Sequence, residues 1–219
     1  MEKTVIINLK HYQASSGSNC EKFLSKFIGM EAPADTRIVF ALNPIDFRLA
    51  RSFPELEFYA QHVFPVDYGP STGHYSIESL LDLGISGSLL NHSEMRVDGI
   101  FIAKTLDKAN AMDFPITICA ESAAEADKYS SLKPEFIAYE PPELIGGNIS
   151  VTSAKPEIIK DVIGKCSKFS VPVLVGAGVK NNSDMRKSVE YGAKGVLVAS
   201  GIVLADDPLL SLTSLIEIL

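Results

Sequence analysis

Eight short runs of apolar and β-branched residues recur along the chain, and this recurrence constrains the fold more than any other feature. The runs are nearly continuous in hydrophobicity rather than alternating, which is typical of parallel strands buried on both faces. Segments with helical spacing or helix-capping residues separate them, as in repeated βα units. The runs span residues 5–9, 37–41, 57–60, 87–90, 115–119, 136–139, 171–175 and 195–199.

The separating segments carry recognisable helix starts and stops. Pro156 suits the first turn of a helix whose apolar residues recur at helical spacing up to Cys166. Asp207 is placed to cap the last helix of the chain. Ser183 is predicted to cap a helix that Gly192 ends.

Two architectures fit this alternation, a closed barrel and a doubly wound open sheet. Each apolar run becomes polar or glycine-rich at its C-terminal end, and a barrel gathers such ends at one mouth, where the active sites of barrels lie. The pattern therefore favours a barrel of eight parallel strands with outer helices, although periodicity alone leaves the open sheet as an alternative. No linker, repeat or composition break indicates a second domain, so residues 1–219 are expected to form one domain.

Charge and composition exclude several functional classes. The chain has 20 Lys and Arg against 27 Asp and Glu, a net charge of −7, which is unlike a basic nucleic-acid-binding protein. The longest nearly apolar stretch, residues 195–205, is far shorter than the ~20 residues that span a bilayer, and the N-terminus does not resemble a signal peptide. Cys20, Cys119 and Cys166 are scattered without metal-ligand spacing, so we expect reduced thiols, a cytoplasmic location and no metal site.

Polar side chains at the ends of the first, fourth and sixth runs are the candidates for chemistry. Asn8 and Lys10 fall on one strand face that would point into the mouth. His92 precedes a helix predicted from about Met95, and the positive end of a helix favours a neutral imidazole. Glu140 lies between apolar residues and two prolines, where desolvation raises a carboxyl pKa toward that of a useful base. Each residue also has an alternative without a catalytic role. Lys10 could be a solvated lysine, His92 a hydrogen-bonded loop histidine and Glu140 an acid that caps a loop.

Small residues follow the last two strands and flank one loop. Gly176-Ala177-Gly178 and Ala199-Ser200-Gly201 are small enough for backbone N–H groups to approach an anion, and barrels often bind phosphate after strands 7 and 8. Pro141-Pro142 and Gly146-Gly147 enclose a segment that is stiff at one end and loose at the other. This arrangement is typical of a hinged lid.

Taken in order, these motifs resemble those of the triosephosphate isomerase family in the short form typical of archaea. The matching motifs are N-x-K at 8–10, N-H-S-E at 91–94, Y-E-P-P-E-L-I-G at 139–146, G-A-G at 176–178 and V-A-S-G at 198–201. The resemblance implies a (β/α)8 TIM barrel with some outer helices trimmed, because the chain is shorter than the ~250 residues usual for this fold. It also implies interconversion of dihydroxyacetone phosphate and D-glyceraldehyde 3-phosphate through an enediolate, in glycolysis and gluconeogenesis, with no cofactor.

The resemblance assigns roles to individual residues. Glu140 resembles the family's general base and His92 its neutral electrophile. Lys10 would offset the charge of the enediolate and phosphate, and Asn8 would donate a hydrogen bond to the substrate. The positions that match phosphate contacts are Ile145, Gly146, Gly178, Ala199 and Ser200. Glu94 matches an acid near Lys10 that receives no role beyond orienting this lysine.

The resemblance also implies self-association. Residues 69–74 match a loop that inserts into a neighbouring subunit, with Thr72 near the neighbour's catalytic lysine, so a homodimer or homotetramer is expected. Two other functions stay open, namely a phosphosugar aldolase that forms a Schiff base on Lys10 and a metabolite-binding barrel without activity. One departure from the family is Gly147, which stands in the lid where the family usually has threonine.

Overall fold

Eight parallel strands pair in chain order, and the last strand pairs with the first, so that the sheet closes into a barrel. The computed structural model describes residues 2–141, 156–176, 179 and 182–217. The strands are β1 (Lys3–Asn8), β2 (Thr36–Leu42), β3 (Glu57–Ala60), β4 (Gly87–Leu90), β5 (Ile116–Ala120), β6 (Phe136–Tyr139), β7 (Val173–Val175) and β8 (Gly195–Val198). The predicted TIM barrel is confirmed, and each strand overlaps the run that predicted it.

Helices connect the strands on the outside of the barrel. The α-helices are Ser18–Leu24, Ile77–Asp82, Gly99–Ala111, Ala123–Ser130, Pro156–Ser167, Asn182–Glu190, Ser200–Val203 and Pro208–Ile216, and the 3₁₀-helices are Gln13–Ser15, Ser25–Phe27 and Pro44–Ser52. A 3₁₀-helix follows β2, and only 6 residues of α-helix follow β3. These short connections agree with the expected trimming. Within the described ranges, none of the helices is both long and apolar enough to cross a membrane.

The capping signals at two helices are confirmed. Pro156 is the first residue of its helix. The side chain of Asp207 accepts a hydrogen bond from the backbone N–H of Leu210 at 3.1 Å, which satisfies one of the free donors of the first turn. These two elements were predictable because their caps are local.

Two predicted helix starts are wrong. Ser183 lies inside a helix that begins at Asn182, so it is not the N-cap. The helix expected from about Met95 begins at Gly99, where the carboxylate of Asp98 caps it. A carboxylate that accepts a hydrogen bond from the first turn is a strong N-cap, and it sets the boundary here.

Buried side chains form one layer inside the barrel and another between the strands and helices. The inner layer consists of Ile6, Val39, Ala41, Tyr59, Leu89, Cys119, Phe136, Ala138, Leu174 and Leu197. Alternate residues of the same strands, such as Val5 and Ile7, belong to the outer layer. Because side chains alternate along a strand, Asn8 shares the inward face of Ile6, and Glu140 follows the inward face of Ala138. Both polar side chains therefore point into the mouth of the barrel.

Gly195 lies at the seam between β8 and β1, where the two backbones approach too closely for a side chain. It pairs with Thr4. Its φ is +146°, and a Cβ atom there would lie 1.8 Å from the carbonyl oxygen of Thr4. Barrel closure therefore requires glycine at this position.

Gly195→Ala is expected to prevent closure of the seam and to destabilise the protein by more than the ~1–3 kcal/mol typical of an overpacked core, because the clash is with backbone. Gly164→Ala is the matched control. It lies in the helix Pro156–Ser167, where a new Cβ meets no heavy atom within 4 Å, so it should stabilise by about 1 kcal/mol. Thermal unfolding followed by circular dichroism measures both effects. A Gly195→Ala protein as stable as the parent would show that the seam can accept a side chain.

Candidate active site

His92 and Glu140 face each other at the C-terminal end of the barrel. Nε2 of His92 lies 3.6 Å from Oε2 of Glu140, and the two side chains are only 7% and 6% exposed. Oε2 has no hydrogen-bond partner among the residues that the structure describes. A buried carboxylate oxygen without a partner is costly, and such groups concentrate at functional sites. This pair is therefore the centre of the candidate site.

The surroundings of Glu140 make its carboxylate a stronger base. Burial raises the pKa of Glu140, and the opposing effects of His92, a hydrogen bond from Cys119 and the charge of Lys10 do not cancel this increase. Gly176 packs directly against the side chain, since a Cβ there would lie 2.4 Å from Cγ of Glu140. Contact with Gly176 thus restricts the position of the Glu140 side chain, and desolvation destabilises the ionised form of its carboxyl group.

A backbone hydrogen bond sets the tautomer of His92. The N–H of Glu94 donates to Nδ1 of His92 at 3.2 Å. Because Nδ1 accepts this bond, the neutral ring carries its hydrogen on Nε2, the atom that faces Glu140. The sequence predicted a neutral ring from the end of a helix, but that helix begins only at Gly99. The contact that Nδ1 makes here is with the N–H of Glu94 rather than with a helix end.

Lys10 is a cation fixed beside this pair. Its Nζ lies 2.7 Å from Oε1 of Glu94, with the lysine side chain 16% exposed. Its backbone is left-handed, with a φ of 48°, an uncommon conformation for a residue other than glycine. Its N–H donates to Oδ1 of Asn8 at 3.0 Å, and its carbonyl accepts from Nε2 of Gln61 at 3.0 Å. These bonds hold the lysine in its strained conformation.

The residues predicted to contact the phosphate fall into two groups. Ala199 and Ser200 follow β8, and Ser200 begins a short helix at the same mouth. Ile145, Gly146 and Gly178 lie outside the described residues, as does the predicted lid apart from Pro141. Across the described ranges, no group of three or more His, Cys, Asp or Glu side chains is placed to hold a metal ion.

Comparison with known proteins agrees with this geometry. The family model described as triosephosphate isomerase matches residues 3–219. The chain belongs to the triosephosphate isomerase family. It is 51% identical to the triosephosphate isomerase of Thermoplasma volcanium over 214 residues, covering 98% of this chain and 99% of the relative. It is 36% identical to that of Methanothermus fervidus over 214 residues, covering 97% and 96%, and 35% identical to that of Cenarchaeum symbiosum over 214 residues, covering 97% and 96%.

Membership of the triosephosphate isomerase family rests on motifs that the sequence displays, but sequence reasoning gave no role to two supporting residues, Gln61 and Cys119, and only part of the role of Gly176. Gln61 is a polar residue directly after β3, which is a weak signal of a site residue. Cys119 contacts Glu140 from the interior of β5, and nothing in its local sequence indicates this contact. Gly176 was interpreted only as a small residue near an anion, whereas it also supports Glu140.

The hydrogen bond to Nδ1 predicts the tautomer of His92. At mildly alkaline pH, where an ordinary imidazole is neutral, nitrogen-15 NMR of the labelled protein should show Nε2 carrying the hydrogen and Nδ1 without it. His92→Gln identifies the resonances by their loss. A ring with its hydrogen on Nδ1 would contradict the bond from Glu94.

Proposed function

We propose that this chain interconverts dihydroxyacetone phosphate and D-glyceraldehyde 3-phosphate through an enediolate, as an aldose–ketose isomerase of glycolysis and gluconeogenesis. The supporting observation is the buried approach of His92 Nε2 to Glu140 Oε2, 3.6 Å apart, in a barrel of this family. The relatives from Thermoplasma volcanium and Methanothermus fervidus carry the name triosephosphate isomerase. The substrate is thus a small triose phosphate, with no nucleic acid or membrane as partner and no cofactor.

The reaction moves one proton between two neighbouring carbons of the substrate and a second proton between the two oxygens that these carbons carry, the second exchanged through Nε2 of His92. The carboxylate of Glu140 takes the proton from the carbon beside the carbonyl and returns it to the adjacent carbon. Its raised pKa favours this transfer. The Nε2 hydrogen of His92 donates to the substrate oxygens as negative charge develops on them, and the ammonium group of Lys10 stabilises the same charge.

Hydrogen bonds from the mouth would position the substrate. Oδ1 of Asn8 already accepts from Lys10, which leaves its amide nitrogen oriented as the donor to the substrate. We assign the substrate phosphate to backbone N–H groups of five residues around the mouth of the barrel. These are Ile145, Gly146, Gly178, Ala199 and Ser200, and the segment 141–147 would close over the phosphate and exclude water.

The contacts of Lys10 favour isomerisation over Schiff-base chemistry. A lysine that forms a Schiff base must present a neutral amine. Nζ of Lys10 instead lies 2.7 Å from the carboxylate of Glu94 and is engaged in an ion pair with it. Borohydride reduction with substrate should therefore leave no adduct on Lys10, whereas an aldolase would be trapped.

We further propose that the chain is a single domain over residues 1–219 that acts in the cytoplasm as a homodimer or homotetramer. Thr72 is exposed in the loop after β3. Lys108 ties this loop at both ends, because its Nζ contacts the carbonyl of Val66 at 2.5 Å and the carboxylate of Glu78 at 2.7 Å. A loop held in this way is suited to insertion into a neighbour. The free, buried cysteines suit a reducing compartment.

A coupled assay with dihydroxyacetone phosphate tests the function directly. Glu140→Gln should lower kcat by ~10²–10⁴ or more, since general-base catalysis contributes this much. It should also raise the melting temperature at neutral pH. The folded-state pKa of Glu140 is raised, so its ionisation costs stability at every pH above the unfolded-state pKa, and glutamine removes this cost.

Glu121→Gln is the matched control for this experiment. Glu121 follows β5 at the same end of the barrel, but its side chain is 44% exposed and lies 3.7 Å from Arg96. Its replacement should change neither activity nor stability appreciably. Less than a tenfold loss of activity in a folded Glu140→Gln protein would place the base elsewhere.

Self-association is tested at Thr72. Thr72→Arg adds bulk and charge at the tip of the loop, so sedimentation should show a smaller species and the activity should fall with it. Ser131→Arg is the control, because Ser131 is also exposed but precedes β6 at the opposite end of the barrel. A parent protein that sediments as a fully active monomer would contradict the proposal.

A further inference from the structure

Asn91 is a buried residue in a left-handed conformation, immediately before His92. It is 0% exposed, with a φ of 62°, and it is the first residue after β4. Asparagine is among the few residues other than glycine that adopt this conformation readily. The chain turns sharply here, and the side chain of Asn91 stays inside the fold.

Both polar groups of the Asn91 side-chain amide make hydrogen bonds. Its Nδ2 donates to the carbonyl of Cys119 on β5 at 3.0 Å, and its Oδ1 accepts from the N–H of Val97 at 3.2 Å. The nitrogen faces a carbonyl and the oxygen faces an N–H group, so these partners allow only one orientation of the amide. A buried amide with both ends satisfied is a rigid link between the segments it joins.

The first of these bonds extends the pairing of β4 with β5. The last residue of β4 aligns with Ile118, and the strand ends there. One residue further along both segments, the hydrogen bond from the side chain of Asn91 to the carbonyl of Cys119 takes the place of a backbone pairing. The backbone can therefore leave the strand at His92 while remaining attached to β5.

The second bond closes the turn that carries the site residues. Residues 92–96 lie between Asn91 and Val97, and the N–H of Met95 donates to the carbonyl of His92 at 2.8 Å within this turn. The turn presents the ring of His92, and it also presents the Glu94 N–H that fixes Nδ1 of this ring. The Asn91 amide thus closes the turn that carries both His92 and the Glu94 N–H.

The hydrogen bond from Asn91 to Cys119 also connects the turn that bears His92 to the surroundings of Glu140. Cys119, whose carbonyl accepts from Asn91, also interacts through its side chain with the carboxylate of Glu140 and lowers the pKa of that carboxylate relative to burial alone. Asn91 itself touches neither the reacting atoms nor the side chain of Glu140 in the contacts that the described residues make. Its influence on the chemistry passes through the position of His92.

We propose that Asn91 is a positioning residue for the isomerisation, whose amide ties the turn bearing His92 to the end of β5 and so aims Nε2 at the substrate oxygens. This inference rests on the proposed function, because it requires His92 to polarise the substrate carbonyl. The phosphate contacts proposed above belong to other segments of the chain, so loss of the Asn91 amide should lower kcat while leaving KM nearly unchanged.

Two substitutions distinguish the effect of the Asn91 side-chain amide from the effect of its left-handed backbone conformation. Asn91→Gly accepts the left-handed backbone without strain and removes both hydrogen bonds. Asn91→Asp keeps the size of the side chain and the acceptor for Val97, but it turns an oxygen toward the carbonyl of Cys119. Asp113→Gly is the control, because Asp113 is exposed and also left-handed, with a φ of 50°.

The experiment measures kcat, KM and the infrared carbonyl stretch of bound dihydroxyacetone phosphate. In the parent, His92 should shift the stretch to lower frequency than in free substrate. Asn91→Gly should lose most of this shift and about tenfold or more in kcat, since small misplacements near the reacting atoms cost up to ~10²-fold. Asn91→Asp should change both readouts in the same direction. Asp113→Gly should retain the parent kcat and shift.

His92→Gln, measured in parallel, separates the two proposals. If His92→Gln keeps the parent kcat and carbonyl shift, the proposed role of His92 is wrong, and the inference about Asn91 is overturned with it. If His92→Gln loses both while Asn91→Gly keeps both, only the inference about Asn91 is overturned. Should Asn91→Gly not fold, Asn91→Asp decides the matter by the same two readouts.

Discussion

Closure of the barrel between β8 and β1 is the constraint on which the rest of the structure depends. The two backbones approach so closely at Gly195 and Thr4 that no side chain fits between them. Because the strands are parallel and the ring is complete, the ends of β1, β4, β6 and β8 meet at a single mouth. Groups more than a hundred residues apart in the chain, such as Lys10 and Glu140, thereby share one small volume.

The two ends of the barrel differ in how completely their charged side chains are paired. At the N-terminal end, the guanidinium of Arg37 lies 2.5 Å from Glu57 and 2.6 Å from Glu135, and the hydroxyl of Tyr59 donates to Glu135 at 2.5 Å. Charges satisfied in this way contribute structure and leave little capacity for chemistry. At the mouth, the described contacts leave Oε2 of Glu140 without a hydrogen-bond partner. The asymmetry indicates which end is built for a ligand.

At the mouth of the barrel, burial destabilises the ionised carboxylate of Glu140, and neighbouring groups partly offset this destabilisation. Desolvation raises the pKa of Glu140, while His92, Cys119 and Lys10 each act in the opposite direction. If the opposing contacts dominated, the carboxylate would be a weaker base, and without them burial would raise its pKa further. The activity proposed for the chain depends on this balance. The balance depends in turn on rigid neighbours, among them Gly176.

The sequence by itself determined the eight strands and the residue types at their C-terminal ends, because hydrophobic periodicity and strand-end polarity are local properties. Periodicity left an open sheet as an alternative, and the pairing of β8 with β1 in the folded structure decides for the barrel. The sequence also placed Asp207 as a cap, since that bond spans three residues. It misplaced the helix after His92 and gave no role to Gln61 or Cys119. Their contacts cross between strands distant in the sequence, so only closure of the barrel decides them. The orientation of the His92 ring likewise follows from the folded turn and could not be derived from composition or spacing.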